Sequence, residues 1–150
     1  MARIKIQLPE HFSFSCNIPV RITDINYGGH AGNDTILSLI HEARMQFLQS
    51  LGYTEMQFAG VGMIMSDVAI EFKSELFYGD TVIASVAVAD ISKIGFDLVY
   101  KLETFRSNSN QDRDERKIMV AAAKTGMICY DYDKKKMVTI PGEARQKMGG

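Results

Sequence analysis

The side chains best suited to chemistry stand close together in one short stretch. Asp24, Asn26, His30 and Asp34 lie in a loop that also holds several glycines. A carboxylate can accept a proton, and an imidazole can accept or donate one near neutral pH, whereas an amide can only hydrogen-bond. We therefore expect the chemistry of this protein between Arg21 and Gly52, a segment formed by this loop and the element that follows it.

The loop leads directly into the longest helical pattern of the chain. From Thr35 onward, apolar residues are spaced by three and four, as one buried face of a helix requires. Gly52 predicts the end of the helix, and Asn33, Asp34 and Thr35 are all candidates for its N-cap. The free N–H groups and positive dipole at such a helix start suit a developing oxyanion. The apolar positions are Ile36, Leu39, Ile40, Ala43, Phe47 and Leu51.

Alternating patterns predict five strands, at residues 12–23, 61–74, 81–90, 96–106 and 118–131. The apolar-free segment 107–117 predicts a long, mobile hairpin loop, and Pro141 predicts the start of a short helical turn. A strand, a long helix and then four strands with short turns predict an α+β fold, in which an antiparallel sheet of five or six strands curves around one helix. An exposed edge strand predicts a homodimer with a continuous sheet.

The composition argues against several classes of function. At 150 residues the chain fits a single domain, and 17 basic residues against 18 acidic ones argue against binding to nucleic acid or to an anionic membrane. Cys16 and Cys129 show no metal-ligand spacing with the three histidines, so we expect reduced thiols and no metal. No apolar run approaches the ~20 residues of a membrane span, and we expect a cytoplasmic protein.

Three motifs resemble those of the hotdog-fold acyl-CoA thioesterases of the 4-hydroxybenzoyl-CoA thioesterase type. They are residues 20–26 (VRITDIN), 29–34 (GHAGND) and 41–44 (HEAR), and the Gly79-Asp80 turn and the Ile140-Pro141 ending are also similar. The resemblance covers nearly the whole chain. It implies a hotdog fold and hydrolysis of an acyl-CoA or acyl-carrier-protein thioester at a dimer interface. Coenzyme A would be part of the substrate, with no separate cofactor, and dimers could pair into tetramers.

Asn26 departs from the family pattern at the most important position. In the catalytic members this residue is the acid that serves as nucleophile or general base, and an amide cannot take a proton. The resemblance then implies that Asn26 positions the water or the carbonyl. His30, or else Asp24 or Glu42, would handle the proton.

The resemblance also implies a binding role for two further groups of residues. Gly32 replaces the first Asn of the family loop, but Asn33 keeps the second, whose backbone N–H is the expected oxyanion donor. The oxyanion and substrate candidates are Gly29, Asn33 and Asp34. The turn between the third and fourth strands could bind coenzyme A through Ser92, Lys93 and Gly95.

Each candidate also has a purely structural interpretation. His30 could only hold its loop in place, Asn26 could be a turn residue, and Glu42 could pair with Arg44 or with lysine side chains on the helix surface. The corresponding alternative function is a non-catalytic, acyl-thioester-binding hotdog dimer that lost hydrolysis with the acid at position 26. A hydratase or dehydratase is a third alternative, because Asp24-Ile25-Asn26 is similar to a motif of such enzymes, although the proline of that motif is missing here.

Overall fold

The computed structural model describes residues 3–107 and 115–149. Its sheet has the order β1-β3-β4-β5-β2, with β6 paired to the carboxyl end of β5, and all of these neighbouring strands are antiparallel. This confirms the predicted α+β fold with one long helix. The elements are β1 (Phe14–Pro19), a 3-10 turn (Ile22–Asp24), α1 (Asn33–Ser50), β2 (Gly62–Phe72), β3 (Thr81–Ala89), β4 (Gly95–Ser107), β5 (Glu115–Asp131), β6 (Lys136–Met137) and α2 (Gly142–Lys147).

Helix α1 packs its apolar face against the sheet, as its periodicity predicts. Ile36, Leu39, Ile40, Ala43 and Phe47 are all buried in the core cluster together with the inward-facing residues of β3, β4 and β5. The predicted stop is also confirmed, since Gly52 has a φ of +87°, a backbone conformation that glycine adopts without strain. Core contacts thus fix α1 along its length, and the amino end of the helix adjoins the loop.

The start of α1 differs from the prediction. The helix begins at Asn33, its N-cap is Gly32, and no side chain caps it. Thr35 instead donates from Oγ1 to the Asp24 carbonyl oxygen at 3.0 Å, and the Asp34 carboxylate folds back beside Gly32. The prediction of a side-chain N-cap was wrong because the helix starts one residue earlier than its three candidates allow, and its N-cap, Gly32, has no side chain.

The first strand is shorter than predicted. It ends at Pro19, and residues 22–24 form the 3-10 turn. The Asp24 carboxylate accepts a hydrogen bond from the Arg21 N–H at 2.8 Å, and the Asp24 N–H donates to the Arg21 carbonyl oxygen at 2.9 Å. These local bonds turn the chain away from the sheet, so the alternation of apolar residues up to Thr23 overstated the strand.

The predicted loop at 107–117 was too long at both ends. β4 continues to Ser107 and β5 starts at Glu115, and these two residues are paired across the strands. Two positions further in, Phe105 pairs with Lys117, whose Nζ lies 5.6 Å from the centre of the Phe105 ring. The rest of the predicted loop, residues 108–114, lies outside the described residues.

Residues 3–12, here called the N-terminal arm, lie across the outer face of the sheet. The Ile6 N–H donates to Glu71 Oε1 of β2 at 3.2 Å, and Lys101 Nζ of β4 lies 4.9 Å from the centre of the Phe12 ring. The outward-facing residues Ala87, Val99 and Ala122 are buried although they do not belong to the core cluster. The arm therefore gives the sheet a cover on the side opposite α1.

Candidate active site

The loop before α1 is closed by hydrogen bonds between Asn26 and its neighbours. The Asn26 N–H donates to the His30 carbonyl oxygen at 3.0 Å, and the Gly29 N–H donates to the Asn26 carbonyl oxygen at 3.1 Å. Asn26 Oδ1 accepts from the Gly28 N–H at 2.9 Å, which is the geometry of a turn-forming asparagine. The amide nitrogen of Asn26 lies beside Gly32 at the start of α1. Asn26 therefore shapes the loop with its oxygen and presents its nitrogen to the helix start.

His30 is half-buried, and its two ring nitrogens face different acceptors. Nδ1 lies 3.2 Å from the Ala31 carbonyl oxygen, and Nε2 lies 3.8 Å from Oε1 of Glu75, a residue of the β2–β3 loop. Because a carbonyl oxygen can only accept, the contact with Ala31 places the proton of the neutral ring on Nδ1. The lone pair of Nε2 is then free to accept a proton.

Two clefts flank the amino end of α1. The β1-side cleft, of about 330 Å³, is lined by Asn17, Pro19, Arg21, Asp24, Glu42 and Gln46, among others. The β2-side cleft, of about 260 Å³, is lined by His30, Asn33, Ile36, Phe72, Glu75 and Leu76, among others. The four predicted proton-handling or positioning residues are thus divided. Asp24 and Glu42 share one cleft, His30 lies in the other, and Asn26 lines neither.

The carboxylates of the β1-side cleft are engaged by their neighbours. Asp24 accepts from the Arg21 backbone and lies 3.5 Å from Nη2 of the Arg21 side chain. Glu42 accepts a hydrogen bond from Gln46 Nε2 at 2.8 Å. The expected alternative for Glu42, an ion pair with Arg44, is not what the structure shows. Burial, and after it the charge of Glu42, raises the pKa of the nearby Cys16 thiol.

Arg44 points into the protein, which the sequence reasoning missed. It is 5% exposed, and it donates from Nε to Glu55 at 2.8 Å and from Nη1 to the Tyr100 hydroxyl at 3.4 Å. The Tyr100 hydroxyl in turn contacts Thr125 Oγ1 at 2.7 Å, and burial raises the Tyr100 pKa. The signal was present in the sequence, because Arg44 stands four residues after Ile40 on the apolar face of the helix.

The first turn of α1 supplies hydrogen-bond donors. The intrahelical ladder starts with the bond from the Ile36 N–H to the Gly32 carbonyl oxygen, at 3.2 Å. The N–H groups of Asn33, Asp34 and Thr35 therefore precede the ladder at the positive end of the helix dipole. Asn33 lines the β2-side cleft together with His30, whereas Gly29 and Asp34 are exposed beside the loop. His30 and Asn33, the first residue of α1, thus line one cleft.

The turn predicted to bind coenzyme A lies far from this loop in the same chain. Ser92 and Gly95 bond to each other, with the Gly95 N–H donating to Ser92 Oγ at 3.1 Å, and the Lys93 carbonyl oxygen accepts from the Ile140 N–H at 3.0 Å. The loop before α1 adjoins the Asp80 end of β3, and a strand of this length spans roughly 30 Å. The structure thus brings His30 and Asn33 together but not the Ser92–Gly95 turn, whose role remains a prediction.

Two broader features of the chain concern metals and membranes. Within residues 3–107 and 115–149, no group of three or more His, Cys, Asp and Glu side chains is arranged to hold a metal ion. Neither helix in those ranges is long and apolar enough to cross a membrane.

Several solved structures share this fold. A thioesterase-superfamily protein from Jannaschia sp. CCS1 is 14% identical with a TM-score of 0.77, covering 93% of this chain and 83% of its own. A 1,4-dihydroxy-2-naphthoyl-CoA thioesterase from Synechocystis is 18% identical with a TM-score of 0.74, covering 90% and 94%. A variant of 4-hydroxybenzoyl-CoA thioesterase in complex with 4-hydroxybenzoyl-CoA is 10% identical with a TM-score of 0.77, covering 91% and 98%. At these identities the likeness shows the fold alone.

The family assignment rests on the sequence itself. No curated protein matches the chain. The sequence profile of the thioesterase-like superfamily, however, matches residues 20–148, which include the loop, α1 and every strand from β2 to β6. The chain therefore belongs to the thioesterase-like superfamily of hotdog-fold proteins.

Proposed function

We propose that this protein hydrolyses an acyl thioester, carried on coenzyme A or on acyl carrier protein, at the amino end of α1. The observation that carries the proposal is the shared cleft of His30 and Asn33. One supplies an acceptor nitrogen and the other a backbone N–H at a helix start, which are the two functions that attack by water on a carbonyl requires. Membership of the thioesterase-like superfamily supports the same reaction class.

The reaction follows from these two groups. Water attacks the thioester carbon, and His30 Nε2 takes the proton that the water loses. The carbonyl oxygen becomes an oxyanion, held by the Asn33 N–H and the helix dipole, with exposed Gly29 and Asp34 bordering the same helix start. The C–S bond then breaks, the leaving sulfur takes the proton from the His30 imidazolium, and the free acid and thiol depart.

Asn26 has a supporting role in this proposal. Its oxygen already accepts the Gly28 N–H, but its nitrogen beside Gly32 can donate to the water or the carbonyl. Asp24 and Glu42 are weaker candidates for the proton, since both are hydrogen-bonded within the β1-side cleft.

A second subunit belongs to the proposal. β2 pairs with β5 along one side, and its other side forms an edge of the sheet, with Met65, Val68 and Phe72 exposed along the strand. Pairing of two β2 edges would give a homodimer with a continuous sheet. Such an assembly is also the way in which a Ser92–Gly95 turn could approach this site and receive coenzyme A.

A hydrolysis screen over short, long and aromatic acyl-CoAs tests the proposal. The parent is expected to turn over at least one substrate, and His30→Ala is expected to lower kcat by about 100-fold or more, the usual contribution of a general base. The matched control is His11→Ala, which removes an exposed histidine that lines neither of the two clefts and should leave kcat unchanged. Flat baselines for the parent and for His30→Ala on every substrate would contradict the proposal.

The alternative is a non-catalytic dimer that binds an acyl thioester. The observation in its favour is the amide at position 26, engaged in a turn where a proton acceptor would be needed. Asn26→Asp separates the two functions. A large gain of hydrolysis from a nearly silent parent would favour the binder, whereas a parent that turns over and loses rate in His30→Ala would exclude it.

A further inference from the structure

The β2-side cleft contains a carboxylate that no sequence motif singled out. Glu75 lies in the β2–β3 loop, and its Oε1 is 3.8 Å from His30 Nε2. We propose that Glu75 is a positioning residue that acts through His30 and supplies the carboxylate that position 26 lacks. This inference rests on the proposed function, because it assigns a role in the same hydrolysis.

The backbone around Glu75 is held against the loop that carries His30. The Ala31 N–H donates to the Leu76 carbonyl oxygen at 2.9 Å, which ties the residue after His30 to the residue after Glu75. Arg106 donates from Nη2 to the Glu75 carbonyl oxygen at 3.2 Å and is also paired with Asp80. The fold therefore holds the backbones of His30 and Glu75 side by side, while the Glu75 side chain itself is 62% exposed.

The cleft leaves the Glu75 carboxylate available to His30. Lys73 also lines the cleft, but its Nζ lies 2.7 Å from Glu71 Oε2. Within residues 3–107 and 115–149, His30 is the one ionic partner that Glu75 has. The pair is thus not bridged into a larger ion network.

Both ring nitrogens of His30 face acceptor oxygens. Nδ1 faces the Ala31 carbonyl oxygen and Nε2 faces the Glu75 carboxylate, so both neighbours are acceptors. A neutral imidazole with its proton on Nδ1 bonds only the Ala31 carbonyl oxygen, whereas an imidazolium also places a positively charged N–H 3.8 Å from the Glu75 carboxylate, which attracts it electrostatically. When His30 takes the proton of the attacking water, Glu75 stabilises and orients the imidazolium. Glu75 stays ionised, and the proton later passes from His30 to the leaving sulfur.

A double-mutant cycle tests this role on the substrate that the parent hydrolyses best. Glu75→Gln is expected to lower kcat about tenfold with little change in KM, as loss of an orienting partner does. Glu75→Asp should recover part of the rate. In a His30→Ala background, Glu75→Gln should have no further effect, because the residue through which it acts is gone. The control is Glu143→Gln, an exposed carboxylate on α2.

Two results would overturn the inference while leaving the proposed function intact. One is an active parent that loses rate in His30→Ala but not in Glu75→Gln. The other is an equal fall of kcat from Glu75→Gln in both backgrounds, which would mark a structural role independent of His30. An inert parent would overturn the proposed function and this inference with it, so the two failures are distinguishable.

Discussion

The two clefts beside the amino end of α1 differ in how their polar groups are used. The β1-side cleft is the larger and holds two carboxylates from the recognised motifs, but Asp24 is bound by the Arg21 backbone and Glu42 by Gln46. In the β2-side cleft, Nε2 of His30 and the carboxylate of Glu75 face each other beyond hydrogen-bond distance. Lone pairs that no neighbour occupies therefore indicate where a proton can be accepted better than the number of acids in a motif does.

The largest expected difference between the clefts is in the rate of hydrolysis. His30→Ala should lower kcat about 100-fold or more, whereas Glu42→Gln should change it by less than about threefold. The reason is that Glu42 is exposed and already bonded to Gln46. Steady-state kinetics of the two variants on one acyl-CoA measures the difference. A larger loss in Glu42→Gln would move the chemistry to the β1-side cleft.

Filling each cleft with a bulky side chain should give the next largest difference. Ser74 lines the β2-side cleft and Ser38 the β1-side cleft, and both serines are exposed. Ser74→Trp should lower kcat/KM about tenfold by excluding substrate, while Ser38→Trp should stay close to the parent. Equal losses in both variants would show that substrate occupies both sides of the helix start.

The free energy of unfolding should show the reverse order of the rate. Removing a carboxylate from the β1-side cleft should lower it more than removing one from the β2-side cleft. Asp24→Ala deletes the acceptor of the Arg21 N–H and should lower the free energy of unfolding by about 1 to 2 kcal/mol. Glu75→Ala should cost less than about 0.5 kcal/mol, because the side chain is largely exposed. Urea denaturation of both variants checks this order, and a greater loss in Glu75→Ala would assign that residue to folding.

The smallest expected effect is on the rate at which the Cys16 thiol is alkylated. Burial and then the charge of Glu42 raise the pKa of Cys16, so Glu42→Gln should lower that pKa and slightly accelerate alkylation of Cys16 by iodoacetamide. Cys129 serves as an internal reference, because burial raises its pKa to about 11. Peptide mass spectrometry at a fixed pH distinguishes the two cysteines. The same acceleration in Glu75→Gln would contradict the separation of the clefts.

Local patterns in the sequence predicted the elements well but could not predict this separation. The three-and-four spacing from Ile36 and the alternation in β3 and β4 are repeated over many residues, so helix and strands were recognisable. The contact between His30 and Glu75 joins two loops that are distant in sequence, and it depends on how β2 returns past α1. The motifs therefore indicate the loop with Asn26 and His30, but they do not show which carboxylate faces the imidazole.

The buried Arg44 and the start of α1 show two other limits of the sequence. Arg44 lies on the apolar face of the helix, but its charge predicts a surface position. The structure instead shows it buried, because Glu55 and Tyr100 accept its hydrogen bonds. For the helix start, three good capping residues in succession left the choice to tertiary contacts, and none of their side chains caps the helix. In both cases the outcome depends on a tertiary contact that the local sequence does not reveal.

The N-terminal arm has a practical consequence for handling the protein. A chain shortened to begin at Ser13 would lose the residues that contact Glu71, Val99 and Lys101 on the outer face of the sheet, and Val99 would become more exposed to water. Exposed apolar surface favours association between molecules at high concentration. We therefore expect a chain without residues 3–12 to be less soluble than the full chain, and an affinity tag is better placed at the carboxyl end than in place of this arm.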